Sequence, residues 1–129
     1  MSKFYDLVNE ICRQDPRYKP DAYEFVLKGL NFTQAKLKRK THVTGAELAS
    51  GLRDFAIDQY GALACRVLEY WGINQTQDFG YIVFNMIEKK LLSKTKEDSL
   101  ADFNAVYDFK EAFANVLVDS VIKGFGGKA

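Results

Sequence analysis

The sequence has few of the residue types that form metal sites and disulfides: its 129 residues include one histidine and two cysteines. A zinc site is not expected, because one imidazole without a C-x-x-C pair cannot supply the usual ligands. Cys12 and Cys65 each fall within a helical apolar pattern, where a reduced thiol behaves as a small hydrophobic side chain. No metal is therefore expected, and the cytoplasm is the expected compartment.

Long apolar runs and an excess of one charge are also missing. No stretch approaches the 18 apolar residues of a membrane-spanning helix. The opening residues M-S-K-F-Y-D-L-V-N-E-I-C-R are not expected to act as a secretory signal, because Asp6 and Glu10 interrupt them. Lys and Arg total 18 against 17 Asp and Glu, a net charge of +1, so no overall field attracts nucleic acid or a membrane. No membrane association is expected.

Signatures of catalysis are absent as well. The sequence contains no G-x-x-x-x-G-K-[ST], G-x-G-x-x-G or G-x-S-x-G motif. His42, the sole imidazole, lies in a basic loop, where a histidine is more often solvated than catalytic. Asp98, Asp102 and Asp108 lack the spacing of a calcium loop. No cofactor or catalytic residue is expected, although a carboxylate-only enzyme with residues distant in sequence stays open.

What the sequence does have is enough apolar material for one core. Apolar residues make up 47% and charged residues 27%, which is typical of a packed protein and not of a disordered chain. At this length about two-thirds of the unfolded surface can be buried. We expect one domain over residues 1–129, with a loose tail at 124–129.

Apolar residues recur at spacings of three and four, which predicts a series of helices. Pro20 suits the first turn of one helix, and T-G-A-E at 44–47 has the spacing of a capping box at the start of another. Gly29 weakens its own helix, so a close-packed neighbour is expected there. The predicted helices span residues 2–14, 20–37, 45–60, 62–71, 77–90 and 110–123.

The spacing of the apolar residues changes after Leu92. Phe103, Ala105, Tyr107 and Phe109 alternate as in a half-buried strand, which could pair with a strand near residues 91–95. Alternatively, S-L-A-D at 99–102 could cap a helix. The fold class expected is mainly α with one small β-hairpin: a single compact domain with a winged-helix-like core at 44–109 and extra N- and C-terminal helices. That analogy implies no activity.

Four aromatic residues surround the predicted turn at Gly72. They are the candidate protein-binding residues Tyr70, Trp71, Phe79 and Tyr81. Tyrosine and tryptophan are favoured interface anchors, although the same rings could belong to the core. We expect a non-catalytic protein-interaction or regulatory module whose partner is a protein, with a second copy of the chain as one possibility.

A basic cluster supports the alternative function, weak nucleic-acid binding. Its candidate anion-binding residues are Lys36, Lys38, Arg39, Lys40 and His42, with Lys94 and Lys96 of the supposed wing. Each could meet a phosphate and release counterions. Lysines at a helix carboxyl end also interact favourably with the helix dipole without any ligand. Asp78 argues against sequence-specific binding in the DNA major groove, because it would repel phosphate at the start of the helix 77–90.

Several blocks together resemble a family of small bacterial proteins, about 130 residues long, that have no assigned function. The blocks are D-P-R-Y-K-P-D-A-Y-E-F-V-L at 15–27, H-V-T-G-A-E-L at 42–48, L-E-Y-W-G-I at 68–73, D-F-G-Y-I-V-F-N-M-I-E-K-K-L-L-S-K-T at 78–95 and D-F-N-A-V-Y-D-F-K-E-A-F at 102–113. The resemblance covers about four-fifths of the chain. It implies a stand-alone bacterial protein and transfers no activity, cofactor or site residue.

Overall fold

The computed structural model describes residues 3–39 and 41–114, and all regular structure in those ranges is helical. The α-helices are α1 (Lys3–Gln14), α2 (Pro20–Leu37), α3 (Gly45–Tyr60), α4 (Ala64–Tyr70), α5 (Thr76–Glu88) and α6 (Phe109–Phe113), and 3₁₀ helices span Gly61–Leu63 and Leu100–Phe103. The mainly α class is confirmed.

The predicted β-hairpin and the winged-helix-like core at 44–109 are wrong, because the described residues contain no strand. The polar S-L-A-D segment caps a helix instead: the Asp102 carboxylate accepts a hydrogen bond of 3.0 Å from the Ser99 backbone N–H. Beyond this 3₁₀ helix, Ala105 has a φ of 47°. A left-handed residue in the middle of 103–109 breaks the extended conformation that a strand needs.

The alternation that suggested a strand has another physical origin. Phe103 and Phe109 are buried, and the Phe109 ring lies 5.9 Å from the ring of Phe79 on α5. Tyr107 donates a hydrogen bond of 2.8 Å to the carbonyl oxygen of Ala49 on α3. The aromatic residues therefore pack against helices, and no partner strand is needed to bury them.

The predicted helix starts are confirmed at α2 and α3. Pro20 is the first residue of α2, where its missing N–H needs no partner. At α3, the Glu47 N–H donates to the Thr44 hydroxyl at 3.1 Å, and the Thr44 N–H donates to the Glu47 carboxylate at 2.9 Å. Two otherwise unpaired backbone donors are satisfied by this reciprocal box.

Helices α2 and α3 cross closely at two glycines. A Cβ atom on Gly29 would clash with the Leu52 side chain, and one on Gly51 would clash with the Thr33 side chain. Thr33 is buried and donates a hydrogen bond of 2.7 Å to the carbonyl oxygen of Gly29. The close contact expected at Gly29 is confirmed, and Gly51 supplies its counterpart.

Side chains from α1 to α6 meet in one cluster of buried apolar residues. Its largest fully buried members include Tyr23, Leu52, Leu68, Phe79, Ile82 and Met86. A buried polar pair joins the cluster at one side, where the Tyr18 hydroxyl donates a hydrogen bond of 2.5 Å to Asp78 at the start of α5. Burial, together with this carboxylate, raises the pKa of Tyr18 well above its ordinary value.

The predicted helix at 110–123 is described only in part. Its beginning corresponds to α6, at Phe109–Phe113. The remainder, and the expected tail at 124–129, lie outside the described residues. Among the residues that are described, no helix combines the length and apolarity required to cross a bilayer.

Candidate functional site

A cleft of about 380 Å³ opens between the carboxyl halves of α2 and α5, the start of α3 and the segment 92–103. We call it the α3 cleft. Its apolar floor consists of Leu30, Val43, Leu48, Val83, Phe84, Ile87, Leu92 and Phe103. Its rim is polar and includes Gln34, Thr41, His42, Thr44, Ser93, Lys94, Thr95, Asp98, Ser99 and Asp102. Its size and its apolar interior are typical of ligand pockets.

Two glycines hold the floor of the α3 cleft together. A Cβ atom on Gly45 would lie 2.8 Å from the Cβ of Asp102, and one on Gly80 would lie 2.9 Å from the Phe103 ring. Both separations are too short for any side chain, so the segment 100–103 packs directly on the backbones of α3 and α5. Phe103 thereby becomes part of the floor.

A contact between a histidine and an aspartate spans the mouth of the α3 cleft. His42 Nε2 lies 3.2 Å from Asp98 Oδ1, with 41% of the histidine side chain and 17% of the aspartate side chain exposed. Asp98 is oriented by its own turn, because its Oδ2 accepts a hydrogen bond of 2.8 Å from the Thr95 N–H. The loop before α3 and the segment 92–103 are thus joined across the opening.

A second, shallower cavity continues outward from the mouth. We call it the outer groove. It shares His42, Thr44, Thr95, Asp98 and Asp102 with the α3 cleft and adds Ala46 and Glu97. The two cavities are therefore neighbours, and we call them together the depression; its apolar lining belongs to the α3 cleft, and the outer groove adds the carboxylate of Glu97 to those of Asp98 and Asp102.

The basic cluster is partly neutralised by carboxylates of α3. Lys36 Nζ lies 2.6 Å from Asp54 Oδ2, and the Arg39 guanidinium donates two hydrogen bonds to Glu47, at 2.6 and 2.8 Å. The Arg39 guanidinium lowers the pKa of Glu47 to about 2, and the Thr44 backbone adds to the effect. These two cations tie α2 to α3, which reduces the charge that they offer to an anion.

The remaining basic candidates that the structure describes are Lys38, His42, Lys94 and Lys96. Lys38 ends α2 in a left-handed conformation with a φ of 58°, and Lys40 lies outside the described residues. His42 and Lys94 both line the α3 cleft. Lys96 is exposed nearby. Of the candidates that the structure describes, His42 and Lys94 therefore lie at the rim of the same apolar cavity.

The aromatic candidates are divided between core and surface. Phe79 is fully buried, and Trp71 is 8% exposed, with its ring 5.5 Å from that of Phe25. Tyr81 is half-buried beneath the Arg17 guanidinium, which lies 4.3 Å from the ring centre. Tyr70 is 70% exposed. Of the four residues, only Tyr70 presents most of its side chain to solvent.

Sequence reasoning did not assign Asp98, Asp102 or Glu97 to a binding surface. The signal that could have located them is the pair of consecutive four-residue patterns T-K-E-D and S-L-A-D at 95–102. In each pattern the final aspartate can accept a hydrogen bond from the first residue's backbone, as the structure shows for both. Two such turns predict a compact acidic loop, but not the helices against which it lies.

The α3 cleft combines an apolar floor with a polar rim. In the part of the chain that the structure describes, no hydroxyl or thiol group hydrogen-bonds to His42, and no group of three metal-ligating side chains occurs. A nucleophile next to a base is the usual geometry of covalent catalysis. The arrangement found offers an apolar cavity with charged groups at its entrance.

Comparison with known proteins finds no matching family model, no matching curated protein and no matching solved structure. The resemblance of the five sequence blocks to small bacterial proteins therefore stays a prediction. The interpretation of the α3 cleft rests on its own geometry.

Proposed function

We propose that this protein is a non-catalytic interaction module that binds part of a partner protein in the α3 cleft. The observation that carries the proposal is the combination of a cavity of about 380 Å³ with an apolar floor and a polar rim. Burying an apolar side chain of the partner on that floor supplies affinity, and the rim groups fix its orientation. The site differs from the aromatic group that the sequence suggested, because two of those four residues are in the core.

The contact between His42 and Asp98 supports a recognition role. It connects two loops that would otherwise be independent, so the mouth of the cavity is largely formed before a partner arrives. A preformed site loses less conformational entropy on binding than one that must be ordered by its ligand. The floor is equally fixed, because Gly45 and Gly80 leave no space between the segment 100–103 and the helices.

A cleft-filling variant tests the proposal. Ile87 lines the α3 cleft and is half-buried, whereas Ile57 is a half-buried isoleucine of α3 that does not line it. Peptides selected from a random library on the unmodified protein should lose binding to Ile87→Trp by at least tenfold and keep it with Ile57→Trp. Selection of no peptide, or equal binding to both folded variants, would contradict the proposal.

A further inference from the structure

The side chains that line the α3 cleft differ in hydrophobicity and charge from those that line the outer groove. The floor of the α3 cleft is apolar, whereas the outer groove carries the three carboxylates Glu97, Asp98 and Asp102. The Lys or Arg side chain that lines the depression beside them is Lys94. Lys94 Nζ donates a hydrogen bond of 3.2 Å to the carbonyl oxygen of Thr95, and within residues 3–39 and 41–114 it forms no ion pair with a carboxylate.

The carboxylates differ in how far they are already engaged. Asp98 uses one oxygen for His42 and the other for the Thr95 N–H, and Asp102 accepts from the Ser99 N–H. Glu97 is exposed and lines the outer groove but not the α3 cleft. A cation arriving here would find acceptors whose positions are fixed by local turns, which favours a defined site over a diffuse field.

From this arrangement we infer that the partner segment is an extended peptide in which large apolar side chains are followed directly by basic residues. The inference rests on the proposed binding function and specifies its ligand. The apolar side chains occupy the floor around Leu48, Val83 and Ile87, and the basic residues lie in the outer groove beside Glu97 and Asp98. An extended chain fits better than a compact ligand, because it can reach both neighbouring cavities, which share five lining residues.

The charge pattern also determines selectivity. An acidic residue at the same place would meet three carboxylates, and like charges brought together oppose binding. A basic residue gains charge-assisted hydrogen bonds, and an arginine can make two of them with one carboxylate. Selectivity for basic peptides should weaken as salt rises, since exposed charges are screened within about 8–10 Å at ordinary ionic strength.

Two synthetic probes test the inference: acetyl-Leu-Leu-Arg-Arg-amide and acetyl-Leu-Leu-Glu-Glu-amide. Each is titrated into methyl-labelled protein, and the NMR signals of Leu48, Val83 and Ile87 are followed. The arginine peptide should shift these signals with a Kd at least tenfold lower than that of the glutamate peptide. Raising the salt concentration should reduce this ratio.

Rim variants separate the charge effect from apolar binding. The double variant Glu97→Gln with Asp98→Asn should lower the preference for arginine to less than threefold. The control Asp58→Asn with Glu69→Gln removes two exposed carboxylates that do not line the depression, and it should keep the preference. Folding of both variants is checked by their circular dichroism spectra.

The outcomes distinguish the two proposals. Equal binding of both peptides at the three methyl groups would overturn the inference while leaving the cleft as a binding site. If neither peptide shifts these signals, both the inference and the proposed function are contradicted. Concentration-dependent shifts of the same signals without peptide, accompanied by a dimeric mass in sedimentation, would assign the cleft to a second copy of the chain and also overturn the inference.

Discussion

The hydroxyl group of Thr76 donates a hydrogen bond of 2.6 Å to the backbone carbonyl oxygen of Phe103 and is fully buried. The Thr76 hydroxyl oxygen in turn accepts a hydrogen bond of 3.1 Å from the Val106 N–H. One side chain at the start of α5 thus satisfies two backbone groups of a segment without regular structure. Because Phe103 also lines the α3 cleft, this contact links the stability of the segment to the shape of the proposed site.

Replacing Thr76 tests that link. Thr76→Val keeps the volume but removes both hydrogen bonds, which leaves a buried carbonyl and a backbone N–H without their partner. We expect the free energy of unfolding, measured by urea denaturation, to fall by about 2 kcal/mol. Thr76→Ser retains the hydroxyl and should recover most of this loss. Equal effects of valine and serine would show that the methyl group, and not the hydroxyl, holds the segment.

The left-handed conformation of Ala105 predicts a stabilising substitution. A φ of 47° is unfavourable for any residue with a Cβ atom by about 1–2 kcal/mol, whereas glycine adopts it freely. Ala105→Gly should raise the free energy of unfolding by about 0.5 kcal/mol after the greater entropy of the unfolded chain is deducted. Ala101→Gly, an exposed residue of the same segment without a positive φ, should not. If Ala105→Gly lowered the free energy of unfolding, this would contradict the left-handed conformation of Ala105.

The close crossing of α2 and α3 predicts that adding a side chain at a helical glycine destabilises the protein. Alanine normally stabilises a helix interior by about 1 kcal/mol relative to glycine. At Gly51, however, the added methyl group would collide with Thr33, and we expect Gly51→Ala to lower the free energy of unfolding by about 2 kcal/mol. Ser50→Ala, one position earlier and exposed, is the control. An unchanged or raised stability of Gly51→Ala would mean that the helices do not cross here.

The pair of Arg39 and Glu47 predicts a pH dependence. The pKa of Glu47 is about 2, below its ordinary value of 4.5, so the pair stabilises the fold above about pH 4.5. This contribution is lost as the pH falls from there towards 2, because the unfolded chain then binds a proton that the folded chain does not. The difference in unfolding free energy between the unmodified protein and Arg39→Ala should therefore shrink over that range.

Direct titration checks the cause of the shift. In Arg39→Ala, the pKa of Glu47 measured by NMR should rise towards 4.5. In Lys36→Ala it should stay near 2, because Lys36 pairs with Asp54 and not with Glu47. The same titration curve for Glu47 in both variants would exclude Arg39 as the cause.

The ion pairs of the basic cluster also bear on nucleic-acid binding. Lys36 and Arg39 are engaged with carboxylates of α3, which reduces the charge that the basic cluster offers to phosphate. We expect no measurable affinity for random duplex or single-stranded DNA even at about 50 mM salt. Binding that weakens steeply as salt rises, and that is lost on replacing Lys94 and Lys96 by glutamine, would restore the alternative function.

Local sequence signals determined much of the helical structure. Pro20 and the Thr44–Glu47 box marked the starts of α2 and α3 because each acts through backbone groups within one turn. The apolar spacing of three and four placed the helices, since it reports which face of a helix is buried. Gly29 indicated a close neighbour for the same local reason, although the sequence could not identify that neighbour as Leu52.

The segment 99–109 shows where local signals are insufficient. Its alternating aromatic residues fit a strand, and its S-L-A-D motif fits a helix cap, and both readings are locally consistent. Groups that are distant in sequence determine which structure forms. The Thr76 hydroxyl and the Ala49 carbonyl hydrogen-bond to the segment, and the Phe79 ring helps to bury it, so that no partner strand is needed. Pairing across 27 to 58 positions of the chain leaves no pattern in a short window of sequence.

The composition and spacing of this sequence by themselves determined a helical protein without recognisable catalytic or metal-binding motifs. Tertiary structure alone decided which charges are neutralised and which remain at a cavity, because Lys36, Arg39 and His42 each meet a carboxylate from another part of the chain. It also decided that Trp71 and Phe79 are core residues and that an apolar depression ends beside Glu97. Burial and ion pairing depend on which faces of the helices meet, and that is settled only when the whole chain packs.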